Sequence, residues 1–323
     1  MQHSDRVRLR TGVEISRMAL GTAAFGGLYA KVSDEQCIET FNSALAAGIN
    51  FFDTAPHYGK GRSETRICRA LAGWDRNQLV LSTKIGRVLI PSTTDIDDFF
   101  LDADNTVERK FDFSAAGVRK SFESSLSRLG TDHIDILFIH DPDDHADQAI
   151  LEAYPELEKM RSEGLIKAIG LGMNYVEPAL QIMKGTDLDI ALIAGRFTLL
   201  DQVAQKELFP YALKNNIDIS MGGVLNSGVL ANPVAGATYN YLPASDEIIA
   251  KAKKICDFLK ERDVPLMAAA LQFPHRHPAV TSVIIGPRNR EELEANIENF
   301  EHKLPDNLWN ELEDAGLVEK LAI

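Results

Sequence analysis

The sequence predicts an α/β protein built as a (β/α)8 TIM barrel, with an N-terminal β-hairpin and extra helices. Three observations carry that expectation. Eight short, apolar, β-branched runs alternate with helix-like segments along 323 residues, as parallel strands buried on both faces should. The length suits one barrel of roughly 250 residues plus decorations, so residues 1–323 are expected to form a single domain. Titratable side chains end three of the runs, where burial without a partner is costly and where barrel strands converge on one site.

The elements follow in order. Val7 to Ser16 reads as a hairpin turning at Gly12. Met18 to Gly21 is the first short strand. Ser33 caps a helix with Asp34 and Glu35 in its first turn, and that helix runs to Gly48. A strand ends at Asp53, a helix spans Ser63 to Leu71, and Leu79 to Lys84 is the third strand. A polar insertion, Arg87 to Phe113, precedes the helix Ser114 to Leu129. Strand Ile134 to Ile139 and helix Ala149 to Glu163 come next. Strand Lys167 to Leu171, helix Val176 to Met183 and strand Ile190 to Ala194 continue the alternation. Helix Gln202 to Asn215 leads to strand Ile217 to Met221. Helices Asp246 to Arg262 and Leu266 to Phe273 precede the last strand, Val280 to Ile285. Helices Asn289 to Asn299 and Pro305 to Lys320 close the chain. A doubly wound dinucleotide domain should show GxGxxG after its first strand, and Gly21-Thr22-Ala23-Ala24-Phe25-Gly26 lacks that spacing.

Composition narrows the function. With 45% hydrophobic residues the chain can bury a large core. A net charge of −13 disfavours nucleic acid and anionic membrane as partners. No run of 18 apolar residues and no signal-like start is seen, so a cytoplasmic protein, monomer or homodimer, is expected. Cys37, Cys68 and Cys256 are odd in number and far apart, which suggests buried free thiols rather than disulfides or zinc. His275-Arg276-His277 has no carboxylate at ligand spacing, so no metal site is expected.

Asp53, Tyr58, Lys84 and His140 form the chemical candidate. A free tyrosine ionises near pH 10, too high for easy acid–base work at neutral pH. An ammonium beside it favours phenolate. Lys84 can supply that charge, Asp53 can hold Lys84, and His140 can hydrogen-bond a substrate oxygen. Each residue alone has an ordinary reading as a turn former, a packing ring or a solvated charge. As a set in this order they resemble the catalytic tetrad of the aldo-keto reductases. Asp53-Thr54-Ala55-Pro56-His57-Tyr58-Gly59 is similar to that family's DTAxxYG segment, with Ser63-Glu64 following.

The resemblance implies NAD or NADP as cofactor and places its contacts. It puts Gly21, Thr22 and Asp53 beside the first strands. Asn174, after the fifth, takes the place of the Asn that holds the nicotinamide carboxamide. Ala194 stands where the family has Gln, and Phe197 where it has an aromatic that stacks on nicotinamide. Gly222, Leu225, Asn226 and Gly228 lie in a glycine-bearing loop that can approach a pyrophosphate. Gly286 ends the last strand at a helix N-terminus, with Arg288, Glu292 and Asn296 around the adenosine half. Phe25, His57, Tyr58 and His140 are the implied substrate contacts.

Three segments narrow the resemblance: His140-Asp141-Pro142-Asp143, Gly170-Leu171-Gly172-Met173-Asn174, and Ala194-Gly195-Arg196-Phe197-Thr198-Leu199-Leu200. They resemble the branch that oxidises a cyclic hemiacetal, an aldose such as L-fucose or D-arabinose, or pyridoxal, to a lactone with NAD(P)+. A small-molecule lactol or aldehyde is thus the implied partner. Alternatives are a general NADPH-dependent aldehyde or ketone reductase, a non-catalytic nucleotide-binding regulatory subunit, and a metal-dependent barrel hydrolase using His140 and Lys84. The Arg87–Phe113 insertion leaves the third strand at the catalytic face and is expected to form part of the substrate rim.

Overall fold

In the computed structural model, which describes residues 1–93 and 99–322, parallel strands close into an eight-stranded barrel. The strands are Met18–Gly21, Phe51–Asp53, Val80–Ile85, Ile134–His140, Ile166–Met173, Ile190–Ala194, Asp218–Gly222 and Val280–Ile285. They pair in chain order, and the eighth pairs with the first.

The strand side chains divide by parity, because neighbours on a strand point to opposite faces. One face fills the barrel with Ala19, Phe51, Val80, Ile136, Phe138, Ala168, Ile190, Leu192 and Ile284. Leu9, Val13 and Ile15 join this cluster from the N-terminal hairpin Arg6–Arg8/Glu14–Ser16. The other face packs against the helices in a larger core. The first helix, Asp34–Ala46, starts at Ser33 with a capping box: Ser33 accepts from the Gln36 N–H, and the Gln36 side chain accepts from the Ser33 N–H.

Five details differ from or add to the expectations. The polar insertion carries a hairpin: Arg87–Pro91 pairs antiparallel with Val107–Phe111, and residues 94–98 lie outside the described residues. Gly86 sits at φ 100°, and a Cβ there would stand 2.0 Å from the Phe113 ring, so glycine lets Phe113 close the foot of this hairpin. The segment expected as a helix at 149–163 carries a π-helical turn, Ala149–Ala153, before Tyr154–Ser162; Pro155, which lacks a donor, follows that turn. The α-helix expected from Gln202 starts only at Leu208, and the C-terminal helix spans Leu308–Asp314. Of the thiols, Cys37 is buried while Cys68 and Cys256 are half-buried. Among the described residues, no helix is long and apolar enough to cross a membrane.

Candidate active site

Parity also sets what stands at the C-terminal end of the barrel. Asp53 follows Phe51 by two residues, and His140 follows Phe138 by two, so both continue the inward row. Register lines Asp53 up with Gly21 on one side and Ser82 on the other, and His140 with Gly172. Lys84 reaches the same end over Gly172, its Cε 3.6 Å from where a Cβ would stand.

Asp53 and Lys84 form a buried ion pair, each about 2% exposed. Lys84 Nζ donates to Asp53 Oδ2 at 2.6 Å, to Asp53 Oδ1 at 2.8 Å and to the Thr54 carbonyl at 2.8 Å. Ser82 Oγ donates to Asp53 Oδ1 at 2.7 Å. The Lys84 ammonium lies 4.8 Å from the centre of the Tyr58 ring. Tyr58 is placed by loop packing: a Cβ on Gly26 would stand 2.5 Å from the Gly59 nitrogen, so only glycine lets the first and second loops meet behind it. Burial pushes the Tyr58 phenol well above its ordinary pKa, and the Asp53 carboxylate pushes the same way. Burial and Asp53 thus outweigh the easing expected of the Lys84 ammonium.

Three rings surround Tyr58. His140 stands edge-on at 6.1 Å between ring centres, His57 at 6.1 Å and Phe100 at 6.1 Å. Burial pushes both imidazoles well below the usual histidine pKa, with Arg87 the next cause, so both are neutral at pH 7. The Nδ1 atoms of His57 and His140 have no hydrogen-bond partner among the described residues. Phe100 brings the insertion to the site, 5.2 Å from His57 and buried. Phe111 and Phe113 stack instead near His145, and Phe99 is exposed.

The structure places the remaining expected residues unevenly. Thr22 hydrogen-bonds the Asp53 carbonyl through both N–H and Oγ1, and Gly286 lies against the Gly21 carbonyl. Asn174 donates from Nδ2 to Asp141 Oδ1 at 3.2 Å. Phe25 is a correction: its ring has no accessible surface and belongs to the helix-side core. Phe197 is another. It is fully buried against Phe209 and Phe273, each 5.0 Å away, so it cannot present a face to a nicotinamide.

The dinucleotide candidates suit a polar guest. Asn226 is 2% exposed, yet neither amide atom has a partner among the described residues. Buried amides without partners are costly, so this one is poised for a ligand. Its loop is turned by left-handed Asn226 and Ser227, at φ 45° and 59°, between Gly222 and Gly228, with Leu225 half-buried beside it. The Asn296 Oδ1 is likewise buried without a partner. Arg288, by contrast, is committed to Glu292, donating from Nε at 2.8 Å and from its backbone N–H at 2.9 Å.

Sequence reasoning missed three residues here. Arg87 donates to Asp141 Oδ2 at 2.7 Å, and that oxygen lies 3.5 Å from His140 Nε2. Asp141 directly follows His140 and Arg87 lies three residues past Lys84, which was the available signal. Tyr241 was not signalled. It sits at φ 65° in the tight hairpin Thr238–Tyr239/Leu242–Pro243 and donates its N–H to Ser227 Oγ at 3.0 Å.

Comparisons with known proteins fit this geometry. A sequence model described as "Aldo/keto reductase family" matches residues 17–316. A D-threo-aldose 1-dehydrogenase from Pseudomonas sp is 38% identical, over 98% of this chain and 99% of its own. A pyridoxal 4-dehydrogenase from Microbacterium luteolum is 38% identical over 96% of each. Among solved structures, the glycerol dehydrogenase from Gluconobacter oxydans superposes with a TM-score of 0.76 at 26% identity, covering 99% of this chain and 98% of that one.

Proposed function

This chain belongs to the aldo/keto reductase family, and we propose that within it the protein oxidises a cyclic hemiacetal to a lactone. One observation carries the reading: Tyr58, His140 and the Lys84–Asp53 pair meet at the C-terminal end of the barrel. The two relatives at 38% identity, named for an aldose and for pyridoxal, support the substrate class.

Tyr58, as phenolate, takes the proton of the anomeric hydroxyl. His140 donates a hydrogen bond to a substrate oxygen, which fixes the face presented. Lys84 holds its charge 4.8 Å from the centre of the Tyr58 ring, and Asp53 with Thr54 keeps that ammonium from wandering. The C1–O ring bond stays intact, so loss of two electrons from C1 gives a lactone. A nicotinamide dinucleotide, NAD or NADP, supplies the two-electron acceptor when bound. Asn174 would hold its carboxamide, Asn226 and the 222–228 loop its pyrophosphate, and Asn296 with Arg288 its adenosine end.

The buried, protonated state of Tyr58 favours a second reading, proton donation during reduction of an aldehyde or ketone with NADPH. One screen separates the two. L-Fucose, D-arabinose and pyridoxal are each incubated with NAD+ and NADP+, and simple aldehydes with NADPH, following nicotinamide absorbance. Turnover of a lactol with lactone formation is expected. Reduction of aldehydes with no oxidation of any lactol would overturn the substrate class.

A further inference from the structure

We propose that Asp141, clamped by Arg87, is a positioning residue that fixes which way the Asn174 amide points, tying the His140 side of the site to the nicotinamide side. The inference rests on the reading that Asn174 meets the carboxamide.

The two oxygens of Asp141 divide the task. Oδ2 accepts from Arg87 Nη2 at 2.7 Å and lies 3.5 Å from His140 Nε2. Oδ1 accepts from Asn174 Nδ2 at 3.2 Å. A carboxylate can only accept, so the Asn174 side chain must turn its NH2 toward Asp141. Its Oδ1 is then left as an acceptor for a carboxamide N–H. The Asn174 backbone is held from the other side, where its carbonyl accepts from Arg196 Nε at 2.7 Å and Arg196 Nη1 donates to Asp201 at 2.8 Å. The amide is thus fixed in place by one arginine and in direction by the other, acting through Asp141.

Two features argue that this arrangement is built for the site. Asp141 adopts φ 45°, an unfavourable backbone for a residue other than glycine, although Asn and Asp tolerate it best. Its N–H donates to the Gly172 carbonyl at 2.9 Å, which pins the turn beside the fifth strand. Burial pushes the Asp141 carboxyl up, and Arg87 is the largest influence opposing that. A protonated Asp141 could donate to the amide oxygen and let Asn174 turn over. Arg87 therefore keeps Asp141 an acceptor.

The test is calorimetric titration with NAD+ and with ADP-ribose, which lacks the nicotinamide. Asp141→Asn keeps the shape and tolerates the left-handed backbone. Its amide oxygen will face Arg87, so its NH2 faces Asn174 and turns that side chain over. NAD+ binding is expected to weaken about tenfold, the scale of one misdirected hydrogen bond to a buried group, while ADP-ribose binding stays put. Arg87→Met should move NAD+ binding the same way. Asp141→Gly relieves the backbone and serves as the folded control lacking the carboxylate, with a smaller loss. In an Asn174→Ala background, Asp141→Asn should cost nothing further. Equal losses for both ligands, no loss for NAD+, or a fully additive double variant would each overturn the proposal. The expected binding pattern in a protein that oxidises no lactol would leave the clamp standing and remove only the substrate reading.

Discussion

Lys84 directs its N–H donors at Asp53 and Thr54 rather than at Tyr58, whose ring centre is 4.8 Å from the ammonium. The lysine therefore acts on the tyrosine through space, and Asp53 opposes it from the same position. Removing Lys84 leaves a buried carboxylate facing the phenol. We expect Lys84→Met to lose about 3–5 kcal/mol of stability, the usual cost of breaking a buried pair from one side. The remaining oxidation rate should rise only at higher pH than in the wild type, because phenolate is harder still to form. Denaturant melts and a pH–rate profile check both. An unchanged profile in a folded variant would show that Lys84 is structural only.

Tyr58→Phe isolates the proton transfer. Acid–base groups contribute about 10²–10⁴-fold, so turnover should fall by that range. Cofactor affinity should hold, since the lost hydroxyl belongs to the substrate side. Residual activity above roughly a tenth of wild type would exclude Tyr58 from the assigned step.

Phe100 brings the insertion beside two of the candidate site rings. Its buried ring lies 6.1 Å from Tyr58 and 5.2 Å from His57. Phe100→Ala is expected to raise KM for a cyclic substrate several-fold while leaving cofactor affinity alone. Equal effects on ring and open-chain substrates would argue against a ring contact.

Acid should unfold this protein early. Burial lowers the pKa of His57, His140 and His277, and takes His275 down to about 4. For groups lowered on folding, the unfolded chain binds protons first, so stability present above about pH 6.5 is lost as pH falls toward 4. Two carboxyls oppose this: Asp218, raised to about 6, and Asp141 take up protons first in the folded state. Four lowered imidazoles outnumber them, so melting temperature should drop across that window. His275→Leu should flatten the drop. Constant stability between pH 7 and 5 would contradict the burial of these rings.

Much of this was legible in the sequence, for physical reasons. Short β-branched runs between turn formers gave all eight strands close to their observed bounds, and charged residues at strand ends marked the catalytic side. What escaped depends on facing and on tertiary pairing. Phe25 and Phe197 were aromatic residues near the right place, yet both point into the helix-side core, and neighbouring positions on a strand or tight loop differ in face. The hairpin of the insertion was hidden by its polar composition. Asp141 directly follows His140 and Arg87 lies three residues past Lys84, but their pairing across 54 positions needs the closed barrel. Tyr241 gives no local sign at all, since a tyrosine at positive φ is stable only where the surrounding loop holds it.

The last expectation concerns cofactor choice. Arg288 and Arg290 are the first basic residues after Gly286, and each is already engaged one helical turn on. Arg288 pairs with Glu292, and Arg290 with Glu294 at 2.6 Å. A 2′-phosphate would have to displace a carboxylate from Arg288 and then sit beside it. A ribose hydroxyl asks for neither, and a carboxylate can accept from it. NAD+ should therefore be modestly preferred over NADP+. Glu292→Gln keeps the shape and the helix turn but frees the guanidinium from its ion pair. It is expected to raise NADP+ affinity about tenfold with a small change for NAD+, as one unmasked charge–phosphate contact allows. Affinities measured at two salt concentrations check the origin, since a gained contact with phosphate should weaken in salt. If wild type prefers NADP+ strongly, or if Glu292→Gln weakens it, then Glu292 orients Arg288 toward the phosphate instead of masking it.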